Sequence, residues 1–170
     1  KAGDEFLSFR GKIPIGEAAN LLMQLGKVYN RAVLAPESND IGLGVATKIQ
    51  EKGYPNLYYS RKLLKKKGAN RPEQEDIPGW YTTRANRPVM IAGLEEDIRL
   101  SACNIKDPFF VQESYTFIYD EQNRPVAMGK GRGGGDDLDE ATYTDDTILC
   151  KAITNHVRKG LIRSISVLPK

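Results

Sequence analysis

Apolar residues recur at three- and four-residue steps through Ile15, Ala18, Ala19, Leu22, Leu25, Val28 and Tyr29. That spacing puts them on one face of an amphipathic helix over 15–29. Upstream, Glu5 to Phe9 sets Phe6 and Leu7 between polar neighbours and reads as a short strand, broken by Gly11 and Pro14. After Asn30, the run Arg31 to Ala35 is short, without alternation and closed by Pro36, which fits a strand buried on both faces. A second helix is predicted over Gly42 to Lys52, ended by Gly53, and Asn56 to Tyr59 is the next strand candidate. Strand and helix alternating in this way predict an α/β fold with parallel crossovers.

The stretch 60–80 breaks that rhythm. It is polar, carries two prolines and two glycines, and reads as a long excursion or a surface β-hairpin. Val89 to Cys103 is helical by period despite Gly93. Gln112 to Tyr119 alternates and reads as a strand, Glu121 to Arg124 as a turn, and Pro125 to Met128 as the returning strand of a hairpin. A glycine-rich loop at 129–135, an acidic stretch and a helix from Asp145 to about Lys159 follow. No internal repeat is visible, and 170 residues suit one domain with a sizeable core.

Composition narrows the chemistry by exclusion. No apolar run approaches the roughly 20 residues of a membrane span, and no signal-peptide pattern opens the chain. Lys plus Arg is 25 and Asp plus Glu is 22, so the net charge of +3 by itself implies no polyanionic partner. Cys103 and Cys150 lie in apolar sequence settings without CxxC spacing, which points to a reduced protein rather than a disulfide or zinc framework. One histidine, His156, rules out any mechanism that needs two, and its place well inside the last helix suits a surface or core role.

The charges are segregated. Arg61, Lys62, Lys65, Lys66, Lys67 and Arg71 crowd one stretch, and Asp136, Asp137, Asp139, Glu140, Asp145 and Asp146 crowd another. Such a chain can meet a polyanion at one place and a cation at the other, or can simply carry two solvated loops. Tyr58 and Tyr59 precede the basic run and Trp80 and Tyr81 follow it, a mixture that suits nucleic-acid backbones and also suits strand packing. The loop Gly129-Lys130-Gly131-Arg132-Gly133-Gly134-Gly135 lacks the Gly-Lys-Ser/Thr ending of a phosphate-binding P-loop. It can serve as a mobile basic loop near a phosphodiester or as a plain linker.

Two acidic positions invite metal chemistry. Glu37 falls just past the end of a buried strand, where open α/β sheets bind ligands, and could equally complement the dipole of the next helix. Asp145 and Asp146 open the last helix, where Asp is also a common cap. Carboxylates brought together from distant parts of a chain bind hard divalent cations such as Mg²⁺ or Mn²⁺ through oxygen. Two such ions roughly 3.5–4 Å apart activate water and stabilise the leaving oxygen of a phosphodiester.

The order of the motifs resembles the C-terminal nuclease domain of the large terminase subunit of tailed bacteriophages. The resemblance runs through Phe9-Arg10-Gly11-Lys12-Ile13, Leu25-Gly26-Lys27-Val28-Tyr29-Asn30 and Pro36-Glu37-Ser38-Asn39 with Gly42. It continues through Gly53-Tyr54-Pro55-Asn56-Leu57-Tyr58, Gly79-Trp80-Tyr81-Thr82-Thr83, Arg87-Pro88-Val89-Met90-Ile91, Glu113 to Phe117 and Gly129 to Asp146, and so covers nearly the whole chain. It implies a ribonuclease H-like fold, a mixed central sheet flanked by helices with a surface hairpin excursion. It also implies an endodeoxyribonuclease that uses Mg²⁺ or Mn²⁺ to cut concatemeric viral DNA during packaging. Glu37 matches the family's second acidic ligand and Asp145 and Asp146 its third, with Thr144 where a histidine often stands. The family's first Asp is expected before Lys1, and Asp4, in what reads as a hairpin turn, is not given that role. Arg61, Lys62, Lys65, Lys66, Lys67, Lys130 and Arg132 would hold the DNA backbone. The implied partners are viral double-stranded DNA, the terminase ATPase domain, the small terminase subunit and the portal, at the procapsid in the host cytoplasm. Two rivals remain at this point: a DNA- or protein-binding module of the packaging motor without a competent metal site, and another ribonuclease H-like nuclease such as a junction resolvase.

Overall fold

A computed structural model describes residues 4–64, 73–128 and 144–166. Among these, the architecture is mixed α/β, with five helices and two separate two-stranded antiparallel hairpins. The chain divides into two compact units, one spanning Arg10–Thr83 and the other combining Lys1–Phe9 with Arg84–Lys170.

The Arg10–Thr83 unit is built on α1 (Ile15–Val28) and α2 (Ile41–Glu51), which pack on each other; of the apolar face expected on α1, Ala19 is buried, whereas Ile15, Val28 and Tyr29 are exposed. Ala19, Leu34, Ile49, Tyr54 and Leu57 form its core, with Leu22, Met23 and Val45 against them. Asn30 and Arg31 both take positive φ after α1, a conformation Asn tolerates well, and turn the chain back into the core. The Tyr54 hydroxyl donates to the Ala32 carbonyl at 2.7 Å and occupies the space a side chain on Gly26 would need. Burial pushes its pKa above the ordinary tyrosine value.

The expected strand at 31–35 is present only as a fragment of parallel pairing. Leu34 bridges Leu57, and Glu37 bridges Trp80. The Leu34 N–H donates to Asn56 at 2.9 Å, Tyr58 N–H to Leu34 at 2.8 Å and Trp80 N–H to Pro36 at 2.8 Å. Parallel pairing near Glu37 therefore exists, but no continuous central sheet forms among the described residues. Burial on both faces also fails at Val33, which is exposed beside a buried Leu34. The excursion is a hairpin, β1 (Tyr59–Leu64) against β2 (Glu73–Pro78).

In the other unit, α3 (Asn86–Arg99) packs on α5 (Asp146–Ser166). Met90, Ile91 and Leu94 supply one side of this core, and Ile148, Leu149, Ala152, Ile153 and Val157 the other. Helix α3 starts three residues before the expected Val89 because Pro88 fits a first turn, where no N–H is needed. Gln112 to Tyr119 is not one strand. Asp107 caps α4 (Pro108–Ser114) by accepting from Phe109 N–H at 2.9 Å, with Pro108 at the first helical position. Only β3 (Phe117–Tyr119) remains extended, paired with β4 (Pro125–Ala127). The Asp120 carboxylate secures their turn by accepting from the N–H groups of Gln122 and Arg124, and Asn123 there has positive φ. Glu5 to Phe9 forms no strand beyond a single bridge of Asp4 to Asn104. Instead Glu5 accepts from the N–H groups of Lys106 and Asp107, and Ser8 donates to Asp107. Among the described residues no helix is long and apolar enough to cross a membrane.

Candidate metal-binding carboxylates

Glu37 sits on a backbone held from several directions. The Ser38 N–H donates to Trp80 at 2.6 Å, and the Ser38 hydroxyl, fully buried, donates to the Pro78 carbonyl. One residue on, Asn39 clasps Thr82 twice, donating to its carbonyl at 3.0 Å and accepting from its N–H at 2.9 Å. This side-chain clasp imitates one rung of a sheet. Gly79, at φ +87°, leaves room for Ser38, and Gly42 lies so close that any Cβ would overlap the Glu37 carbonyl oxygen. Asp40, at φ +50° and ψ −119°, completes the bend into α2. A non-glycine residue there costs energy that the surrounding contacts must hold in place. Yet among the described residues no hydrogen bond or ion pair engages the half-buried Glu37 carboxylate.

The adjacent aspartates in the other unit differ sharply from each other. Asp145 is 2% exposed, and its Oδ2 lies 2.5 Å from Nη2 of Arg87, which also donates from Nε to the Pro125 carbonyl at 3.2 Å. Asp146 is exposed in the first turn of α5, and no hydrogen bond or ion pair engages its carboxylate among the described residues. The start of α5 is capped by Glu113, 6% exposed on α4. Its Oε2 accepts from the Thr147 N–H at 2.8 Å, the Thr147 hydroxyl at 2.5 Å and the Ile148 N–H at 3.3 Å, and its Oε1 accepts from Thr144 at 3.0 Å. A carboxylate is favoured there because the first N–H groups of a helix lack partners within it. Thr144, at the expected histidine position, is thus part of the cap.

Of the basic residues, Arg61 and Lys62 lie on β1, and the register sets Arg61 opposite Asp76 and Lys62 opposite Glu75. Opposite charges face each other on both faces of the hairpin, which offsets its positive charge. The Lys62 ammonium also lies over the Tyr81 ring, 5.0 Å from its centre. Lys65, Lys66, Lys67, Lys130 and Arg132 lie outside the described residues. Cys103 is buried, which raises its thiol pKa; Cys150 is exposed, against the apolar setting expected of it, and neither is in a disulfide.

Among the described residues no three or more His, Cys, Asp or Glu side chains gather as a metal-binding group. The donor chemistry of Glu37 and Asp146 nonetheless fits Mg²⁺ or Mn²⁺, which take oxygen ligands and are held through as few as one or two carboxylates. Asp145 and Glu113 do not fit, since a guanidinium and a helix terminus already occupy them. Sequence reasoning missed Arg87 and Glu113. Both fall within the segments that carry the resemblance but were given no role there, and Glu113 lies in a segment whose alternation imitates a strand. The Asp107-Pro108 pair was the available signal for α4. Comparison with protein-family models, with curated proteins and with solved structures gives no match.

Proposed function

We propose that this chain is the nuclease domain of a DNA-packaging terminase, an endonuclease that hydrolyses phosphodiesters of viral double-stranded DNA with Mg²⁺ or Mn²⁺. The observation that carries the reading is Glu37: a heavily pinned backbone, with the strained Asp40 three residues on, presents a carboxylate that no described residue engages. Backbone strain of this kind concentrates where a side chain has work to do. The order of motifs along the chain, the oxygen-only donors and Asp146, which no described residue engages, support the same reading. Divalent ions, when bound, supply the positive charge that activates water and offsets charge on the leaving 3′ oxygen. Glu37 in one unit and Asp146 in the other would each offer them a carboxylate, Arg61 and Lys62 would contact the phosphate backbone without reading sequence, and the family's remaining fold features, a mixed central ribonuclease H-like sheet included, belong to this proposal.

Supercoiled plasmid incubated with the chain and Mn²⁺ tests it. Nicking that disappears in Glu37→Gln and in Asp146→Asn, with the folded state kept, is expected. Nicking retained by both variants overturns the assignment. A mobility shift without nicking favours the binding module, and a strong preference for branched DNA favours a junction resolvase.

A further inference from the structure

We infer that Tyr81 is a positioning residue: its ring holds the Lys62 ammonium away from Glu75 and so keeps Lys62, rather than Arg61, ready for a phosphate of the DNA backbone. The inference rests on the nuclease reading and names the residue through which the hairpin of that reading grips its substrate. The register sets Lys62 directly opposite Glu75, and the Cβ atoms of such neighbours lie roughly 4.5–5.5 Å apart, well within reach of an ion pair. Among the described residues none forms, and the ammonium lies instead over the Tyr81 ring, 5.0 Å from its centre. An ammonium resting on a ring keeps N–H groups for an oxyanion, whereas one paired with a carboxylate has its charge offset. The ring is held through its own backbone. The Tyr81 N–H donates to the Ser60 hydroxyl at 2.8 Å, which ties it to β1. On either side, Trp80 and Thr82 are bonded to residues 36–39, the segment that carries Glu37. Lys62 is half-buried in this setting, while Arg61, on the opposite face of the hairpin, is exposed.

The test measures the affinity of the whole chain for a short duplex of mixed sequence, with a chelator present, between about 50 and 200 mM salt. Lys62→Met should lower the slope of log affinity against log salt by about 1 in magnitude, one phosphate contact fewer. Lys48→Gln, which removes an exposed charge of the same unit, should leave it unchanged. Tyr81→Leu should lower the slope as Lys62→Met does, because Lys62 then turns to Glu75, and in that background Lys62→Met should change nothing further. Tyr81→Phe, which keeps the ring, should match the unmodified chain, and Glu75→Gln should restore the slope in Tyr81→Leu. If Tyr81→Leu does not fold, Tyr81→Met serves instead. A tyrosine with a merely structural role would lower the unfolding midpoint and leave the contribution of Lys62 whole. That result, an equal loss in Tyr81→Phe and Tyr81→Leu, an equal effect of Lys48→Gln, or no effect of Lys62→Met overturns the inference alone. An unmodified chain that does not bind the duplex overturns the nuclease reading with it. Coupling of Lys62 to Tyr81 in DNA affinity, with no nicking of plasmid under Mn²⁺, upholds the inference and overturns the nuclease.

Discussion

At Glu37 the backbone is fastened and no described residue engages the carboxylate, whereas around the start of α5 the carboxylates of Asp145 and Glu113 are themselves the fasteners. The first arrangement spends Ser38, Asn39, Gly42 and Gly79 on holding one residue in place. The second uses an arginine and a helix terminus to satisfy acids that burial would otherwise destabilise. Burial with partners marks a structural acid, and a held backbone with an unpartnered carboxylate marks a candidate ligand. By that criterion Glu37 and Asp146 fall in one class, Asp145 and Glu113 in the other.

The contrast can be challenged by substitution. Gly42→Ala should have the largest effect, about 2–3 kcal/mol of destabilisation, because the new methyl group overlaps the Glu37 carbonyl and the strand end must move. Equilibrium urea unfolding measures it, and a loss under 0.5 kcal/mol would show that the Glu37 corner is not rigid. Glu113→Ala should cost about 1–2 kcal/mol by leaving the Thr147 and Ile148 N–H groups without their acceptor. Hydrogen exchange should then accelerate first in the opening turn of α5. Asp40→Gly should act in the opposite direction, raising stability by about 0.5–1 kcal/mol as positive φ is relieved, less glycine's extra chain entropy. No gain would remove the argument from backbone strain at Asp40, beside Glu37.

The smallest effect expected is a response to acid. Burial of Asp97 on α3 works to raise its pKa, but hydrogen bonds from Lys159, at 2.7 Å, and Asn155 outweigh it, so the carboxyl titrates below its ordinary 3.8. A depressed carboxyl contributes stability that is fully present above the unfolded value and is lost as pH falls through the folded one. The α3–α5 interface should therefore loosen below about pH 4, modestly, since Lys159 is 38% exposed and the pair is screened by water. Asp97→Asn should flatten the unfolding midpoint against pH in that range. An unchanged slope between pH 5 and 2 would mean that the pair contributes nothing.

Much of this protein was legible without coordinates. Helices α1, α2, α3 and α5 and the turn between β3 and β4 follow from local rules, the 3.6-residue repeat and the residues that tolerate or stop it, which any stretch of some fifteen residues carries within itself. The candidate acids Glu37, Asp145 and Asp146 were legible as well, because carboxylates at the ends of elements show in the order of residues. What the order could not reveal is which of two neighbouring aspartates is buried, that Glu113 caps a helix 33 residues further on, or that an acidic strand lies against a basic one. Those outcomes depend on pairings such as Arg87 with Asp145 and Glu37 with Trp80, between residues 58 and 43 positions apart. No local period encodes such a meeting. Only the packed chain decides it, because burial and a partner's charge exist only once distant segments share the same low-dielectric space.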